Sequence, residues 1–255
     1  MITKEELEKI TRTGNLNLYQ QEKDYLLKTF LYNYYKRFDN AIFKGGTCIK
    51  YLYGLDRFSE DLDFNLKNTP KKFKKEVEET LKEIGRLGIT NNFKKEETFE
   101  DAYTCEINFQ GPLSVEGKTR NKFRIDAGKR TGTIRKPKWG LIRSEYPETP
   151  QNFLILTMEE QEMLAEKMIT LVERNKGRDI YDTWFLLKKG VKIDQKLIEK
   201  KSQTKDTLKR IEEGKFPAKQ EYERDMKRLT TRVIPYDQMI QEIRENINKS
   251  IRKTP

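Results

Sequence analysis

Apolar residues recur at two different periods along this chain, and the switches between the periods mark out its elements. Tyr25, Leu26, Leu27, Phe30, Leu31 and Tyr34 return every three or four positions. That spacing predicts a helix from Leu18 to about Arg37, capped by Asn17. Met1 to Ile10 predicts a shorter amphipathic helix, stopped at Thr13-Gly14-Asn15. Ala41-Ile42-Phe43 reads as the end of a buried strand, after which Gly45-Gly46 turns the chain. Thr47 is then placed to cap a short helix through Cys48, Ile49, Tyr51, Leu52 and Leu55. From Ser59 to Leu66 the period changes to two. Leu62, Phe64 and Leu66 take one face, and Ser59, Asp61, Asp63 and Asn65 take the other. Pro70 starts a helix over Lys71 to Leu87, with Val77, Leu81 and Ile84 as its apolar stripe and Gly88 as its stop. Asn91-Asn92 reads as a turn. Tyr103–Gln110 and Lys122–Ala127 both alternate and predict an antiparallel hairpin, with Phe123 and Ile125 facing one way and Arg124 and Asp126 the other.

Past Pro147 to Pro150, a boundary between residues 1–150 and 151–255, the pattern is helical. Thr157-Met158-Glu159-Glu160 has capping-box spacing, and Leu164, Met168, Leu171 and Val172 form the stripe of a helix ending near Arg174. Lys167 lies beside that stripe with no acid one turn away on its own helix. Either its stem packs on the stripe and its head reaches water, or it projects into a cleft and meets phosphate as a point charge. Lys176-Gly177-Arg178 makes a basic turn. Asp179 is positioned to cap the next helix, and Asp182 lies too deep in it to be a cap. Three or four charged helices follow from Val191 to Pro255, broken at Pro217 and Pro235.

Charge sharpens this outline. Lys and Arg number 52 against 41 Asp and Glu, a formal +11, which favours a polyanionic partner such as RNA or a nucleotide. Pro112 to Pro147 alone carries ten Lys/Arg against Glu116, Asp126 and Glu145, with Trp139 and Tyr146 among them. Cations interleaved with aromatics suit phosphate contact and base stacking; an ordinary charged hairpin has the same composition. Lys188 to Pro255 adds 19 Lys/Arg against 11 acids. There is no histidine, which excludes a Ser-His-Asp triad, a Cys-His pair and any His-ligated zinc. Cys48 and Cys105 lack metal-ligand spacing and fit buried thiols in a reducing cytoplasm. No secretory signal or long apolar run is visible, so no membrane partner is expected.

The chemistry concentrates between Phe43 and Leu66. Backbone N–H groups after a glycine turn favour an anion, and two carboxylates on one strand edge suit a hard cation such as Mg²⁺ that also holds substrate phosphates. Taken singly, a Gly-Gly is a turn and an Asp-x-Asp is a solvated strand face; together they specify more. Phe43-Lys44-Gly45-Gly46-Thr47, then Arg57-Phe58-Ser59-Glu60-Asp61-Leu62-Asp63-Phe64, then Glu166-Lys167 and Arg178-Asp179-Ile180-Tyr181-Asp182 resemble the nucleotidyltransferase superfamily, and within it the AbiEii/AbiGii toxin family. The resemblance spans Asp24 to Leu187. It implies an α+β fold: a nucleotidyltransferase-like small mixed sheet flanked by helices, followed by a C-terminal helical bundle completing a nucleotide and RNA cleft. It implies that Asp61, Asp63 and, from the neighbouring strand, Asp126 bind Mg²⁺. Lys44, Gly45, Gly46, Thr47, Ser59, Lys167, Arg178, Asp179 and Asp182 would meet the nucleotide, Lys167 with a catalytic part. The implied reaction moves a nucleotide from an NTP to an RNA hydroxyl, with tRNA the family-level acceptor. The implied setting is a toxin–antitoxin or abortive-infection system with an antitoxin encoded nearby. Two rivals stay open: a small-molecule or protein acceptor, and a noncatalytic RNA- or nucleotide-binding module.

Overall fold

Asn17 caps the long helix as the spacing predicts. Its side chain accepts from the backbone N–H of Gln20, whose own side chain answers to the Asn17 backbone. The computed structural model describes residues 1–115, 121–129, 132–174, 176–202 and 206–251. They form two compact units. The first is Met1–Gly54, Phe58–Gly132 and Pro137–Thr157; the second is Leu55–Arg57, Thr133–Lys136 and Met158–Pro255. Lys118, Arg120, Arg130 and Glu116 of the basic stretch, and the chain's last four residues, lie outside the described residues.

The first unit is a seven-stranded mixed sheet with helices α1 (Lys4–Thr13), α2 (Leu18–Tyr35), α3 (Gly45–Tyr53) and α4 (Pro70–Arg86). Its strands are β1 (Ala41–Lys44), β2 (Leu62–Leu66), β3 (Thr90–Thr98), β4 (Ala102–Gln110), β5 (Asn121–Gly128), β6 (Lys138–Arg143) and β7 (Asn152–Thr157). They run in the order β3-β4-β5-β2-β1-β7-β6. β2 lies parallel to β5 and β1 parallel to β7, and the other pairs are antiparallel. Alternation turns Phe43, Phe64 and Phe123 toward Phe30 and Tyr34 of α2 and Phe73 of α4. Ring centroids in this cluster lie 5.3–6.3 Å apart. Fully burying each such ring contributes roughly 1.5–3 kcal/mol, so this cluster fixes the sheet's register. Odd and even positions on β2 and β5 are thereby committed, and the polar set that includes Asp63 and Asp126 takes the face away from the rings. Cys48 and Cys105 are free and buried, and burial pushes each thiol up to about 12.

Several boundaries differ from those the pattern predicts. Asn91-Asn92 belongs to β3 rather than a turn, because an exposed edge strand needs no apolar alternation. β6 lies in the stretch that reads as basic loop, and β7 fills the segment between the Pro147–Pro150 boundary and the Thr157 cap signal. Thr157 ends β7 instead of opening a capping box; its buried hydroxyl bonds the Phe43 carbonyl at 3.2 Å, and Glu159 caps the next helix. Tyr146 is buried with its hydroxyl on Asp24 at 3.0 Å, so it offers no stacking face, whereas Trp139 is 53% exposed.

The second unit is helical: α5 (Glu160–Glu173), α6 (Gly177–Lys188), α7 (Gln195–Lys201), α8 (Thr207–Glu212), α9 (Lys219–Leu229) and α10 (Tyr236–Ile251). Glu162, fully buried, accepts from the backbone N–H groups of Ile134 and Arg135 at 2.8 and 2.9 Å and pairs with Lys201 at 2.6 Å. One carboxylate thus ties the Thr133–Lys136 segment into the bundle. Gly177 has no side chain for a packing reason: a Cβ there would lie 2.2 Å from the Tyr222 Cα, so α9 meets α6 backbone to backbone. No described helix is long and apolar enough to cross a membrane.

Candidate active site

Strand register assembles a polar row on the open face of the sheet. Lys44 on β1 stands opposite Asp63 on β2, Asp63 opposite Asp126 on β5, and Asp126 opposite Thr104 on β4. Residues directly opposite one another share a face, so a cation, two carboxylates and a hydroxyl lie side by side across four strands. Asp126 is held there by its neighbours. Its carboxylate accepts from Thr104 Oγ1 at 2.8 Å and pairs with Arg124 Nε at 2.8 Å.

The glycine turn is shaped around this row. Gly45 has φ of +79°, the left-handed region that side chains disfavour, and a Cβ placed on it would stand 2.2 Å from Asp63 Oδ2. The Asp63 carboxylate therefore occupies the space a side chain at position 45 would need. α3 begins at Gly45, with Lys44 before it and no side-chain cap. Thr47 is not the cap that the spacing suggests. It sits inside the helix, fully buried, donating its hydroxyl to the Asp61 carbonyl at 2.6 Å and lying 2.8 Å from Ser59 Oγ. Thr47 thus pins the segment that enters β2 against the start of α3. No side chain caps the first turn of α3, and amides in that position favour an anion.

The predicted convergence of three carboxylates is only partly met. Asp63 and Asp126 are in register, but β2 starts at Leu62, so Asp61 precedes the ladder and its carbonyl is engaged by Thr47. Among the described residues no three His, Cys, Asp or Glu side chains group closely enough to cage a metal ion. Asp126 is engaged by Thr104 and Arg124, and Asp61 lies ahead of the ladder. Two in-register carboxylates still fit Mg²⁺, which commonly takes one or two protein carboxylates and completes its shell with water and substrate phosphate.

A second ionic cluster lies within the helical unit. Arg57 grips Asp182 with two bonds, Nε to Oδ1 at 2.6 Å and a terminal nitrogen to Oδ2 at 2.7 Å. Lys167 Nζ stands 2.8 Å from Asp182 Oδ2 and 3.2 Å from Asp179 Oδ1. The ammonium is therefore claimed by two acids from α6, which spacing along α5 alone does not reveal. Burial alone would raise the Asp182 pKa, but Arg57 and Lys167 override it and hold the carboxyl far below its usual range. Lys167 is raised on balance: burial disfavours its charge, and the two aspartates more than restore it. Asp179 sits in the first turn of α6 rather than capping it, since α6 begins at Gly177 with Lys176 before it. Its Oδ2 is buried with no hydrogen-bond partner among the described residues. Arg178 beside it is exposed. Arg57 is the functional candidate that sequence reading leaves without a role; the signal was its position inside the Arg57–Phe64 block.

A model of the family described as "Nucleotidyl transferase AbiEii toxin, Type IV TA system" matches residues 29–248. Among solved structures, the chain is similar to MenT4, a nucleotidyltransferase toxin from Mycobacterium tuberculosis H37Rv. The TM-score is 0.67 at 16% identity, covering 97% of this chain and 89% of that one. It is also similar to JHP933 from Helicobacter pylori, with a TM-score of 0.65 at 17% identity and 94% of each chain covered. No match was found among the curated proteins.

Proposed function

Because the chain belongs to the AbiEii family of nucleotidyltransferase toxins of type IV toxin–antitoxin systems, we propose that it transfers a nucleotide from an NTP to a hydroxyl of RNA, tRNA being the acceptor class, with Mg²⁺ held by Asp63 and Asp126. The observation that carries this reading is the in-register Asp63–Asp126 pair with the Asp63 carboxylate lying against Gly45. In the reaction the acceptor oxygen forms a bond to the α-phosphorus, the bond to the β-phosphate oxygen breaks, and pyrophosphate leaves. Mg²⁺, when bound, supplies charge neutralisation at the phosphate oxygens. Lys44, Gly45, Gly46 and the first amides of α3 receive the phosphates. Thr47 and Ser59 hold the segment carrying Asp61, the acid that enters β2 ahead of Asp63. Asp126 takes the acceptor's proton.

In the helical unit, Asp179 is the better candidate of the two aspartates for direct action. Both oxygens of Asp182 are engaged by Arg57 and Lys167, whereas Asp179 keeps one buried oxygen without a partner. Lys167 then serves mainly by orienting Asp179, and Arg178 is the exposed cation left for a phosphate. The setting is the cytoplasm, with an antitoxin encoded nearby. The formal charge of +11 favours RNA over a cationic small molecule.

The test uses α- and γ-labelled NTPs with Mg²⁺ and total RNA. Label from the α position is expected on RNA and none from the γ position. Label on protein or small molecules alone, or γ-label on RNA, would overturn the reading.

A further inference from the structure

A cavity of about 570 Å³ opens in the helical unit beside the C-terminal half of α6. Tyr181, Trp184 and Phe185 of α6 wall it on one side, and Val233, Ile234 and Pro235, from the segment before α10, wall it on the other. Three cations stand at its rim: Lys188, Lys189 and Arg232. All three are exposed, and no carboxylate pairs with any of them among the described residues. Lys188 is parked over the Trp184 ring at 4.5 Å and Lys189 over the Phe185 ring at 5.4 Å. Trp184 is fixed from behind by its indole N–H, which donates to Glu242 at 2.6 Å. Tyr181 is fixed in the same way, its hydroxyl donating to the Asp56 carbonyl at 3.2 Å. The cavity therefore has aromatic walls held by hydrogen bonds and a rim of three exposed cations, two of them over ring faces.

We propose that this cavity holds a single-stranded stretch of the acceptor RNA: a base enters the apolar slot, and the flanking phosphates rest on Lys188, Lys189 and Arg232. This rests on the RNA reading of the preceding section. Charge complementarity selects the occupant. A rim of exposed cations asks for regularly spaced anions, and a slot between aromatic and aliphatic walls accepts a flat ring of any base. A free NTP fits less well, because Asp56 is the only acid in the lining and no glycine turn borders it to receive a triphosphate. The aspartates of the Arg-Asp-x-x-Asp stretch lie on the same helix, Asp182 immediately after Tyr181 and two positions before Trp184.

The experiment compares the intact protein with the triple variant Lys188→Ala/Lys189→Ala/Arg232→Ala. A fluorescent single-stranded RNA is the probe, with affinity read by anisotropy across a series of salt concentrations. Losing three phosphate contacts should flatten the slope of log K against log salt by about 2. It should also raise the KM for RNA with the KM for NTP and kcat little changed. The control triple Lys71→Ala/Lys72→Ala/Lys75→Ala removes the same charge from the exposed side of α4 and should leave the slope nearly as it was. An unchanged slope in the first triple, an equal change in the control, or displacement of the RNA by polyglutamate at matching charge would each overturn the cavity's assignment. A wild-type protein that labels something other than RNA would instead overturn the acceptor reading, so the two failures are separable.

Discussion

Asp63→Asn is expected to reduce nucleotide transfer by on the order of 10³-fold while leaving the thermal melt close to wild type. The substitution keeps the size of the side chain and removes its charge. Asp63 sits on the partly open face of β2, not among the rings that hold the sheet. Folding should therefore be indifferent to it, and chemistry should not. Gly45→Ala should reach a similar loss by another route. The new Cβ would meet Asp63 Oδ2 at 2.2 Å and would also have to adopt a φ of +79°. It should destabilise the fold by about 1 kcal/mol or more as well. Transfer measured with labelled NTP, beside a melt of each variant, separates the two effects. Near wild-type transfer in Asp63→Asn would remove the carboxylate from the mechanism.

Arg57→Ala is expected to cost about 3–5 kcal/mol of stability, seen as a lower urea midpoint. Asp182 is fully buried, and removing the guanidinium leaves it with Lys167 alone, which Asp179 also claims. Against a total of about 5–15 kcal/mol, that is a large fraction. The loss should depend on pH in one direction. The folded pKa of Asp182 is depressed, so the pair's contribution is fully present above about pH 4, the unfolded carboxyl's value, and falls away as pH drops toward the folded one. An Arg57→Ala midpoint matching wild type at neutral pH would show that the pair is dispensable to the fold.

How far the sequence carried the structure depended on whether local spacing decided the matter. Asn17, Thr69 and Pro70 act through neighbours three residues away, and α2 and α4 begin where those residues put them. The β4–β5 hairpin follows from alternation that the core enforces. β3 escaped because its TNNFKKEET sequence is an exposed edge, where burial imposes no pattern. β7 escaped because its apolar run lies directly before a helical signal, and Thr157-Met158-Glu159-Glu160 mimics a cap that tertiary contacts with Phe43 and Cys48 override. In the candidate site, strand alternation put Asp63 and Asp126 on polar faces, and β2 and β5 pair them in register. The ion pairs of Lys167 with α6 and of Arg57 with Asp182 were not legible, since residues 12 to 125 positions apart leave no trace in local spacing. Asp61 was read into a strand that begins one residue later, which is why it stands outside the ladder.

The measurement that bears most directly on the central claim is Mn²⁺ binding, followed by electron paramagnetic resonance, in the presence of a nonhydrolysable NTP analogue. Wild-type protein should bind the ion. Asp63→Asn and Asp126→Asn should each weaken it by about tenfold or more, roughly 1.4 kcal/mol, with circular dichroism unchanged. Wild-type Mn²⁺ affinity in either folded variant would contradict a cation held between β2 and β5.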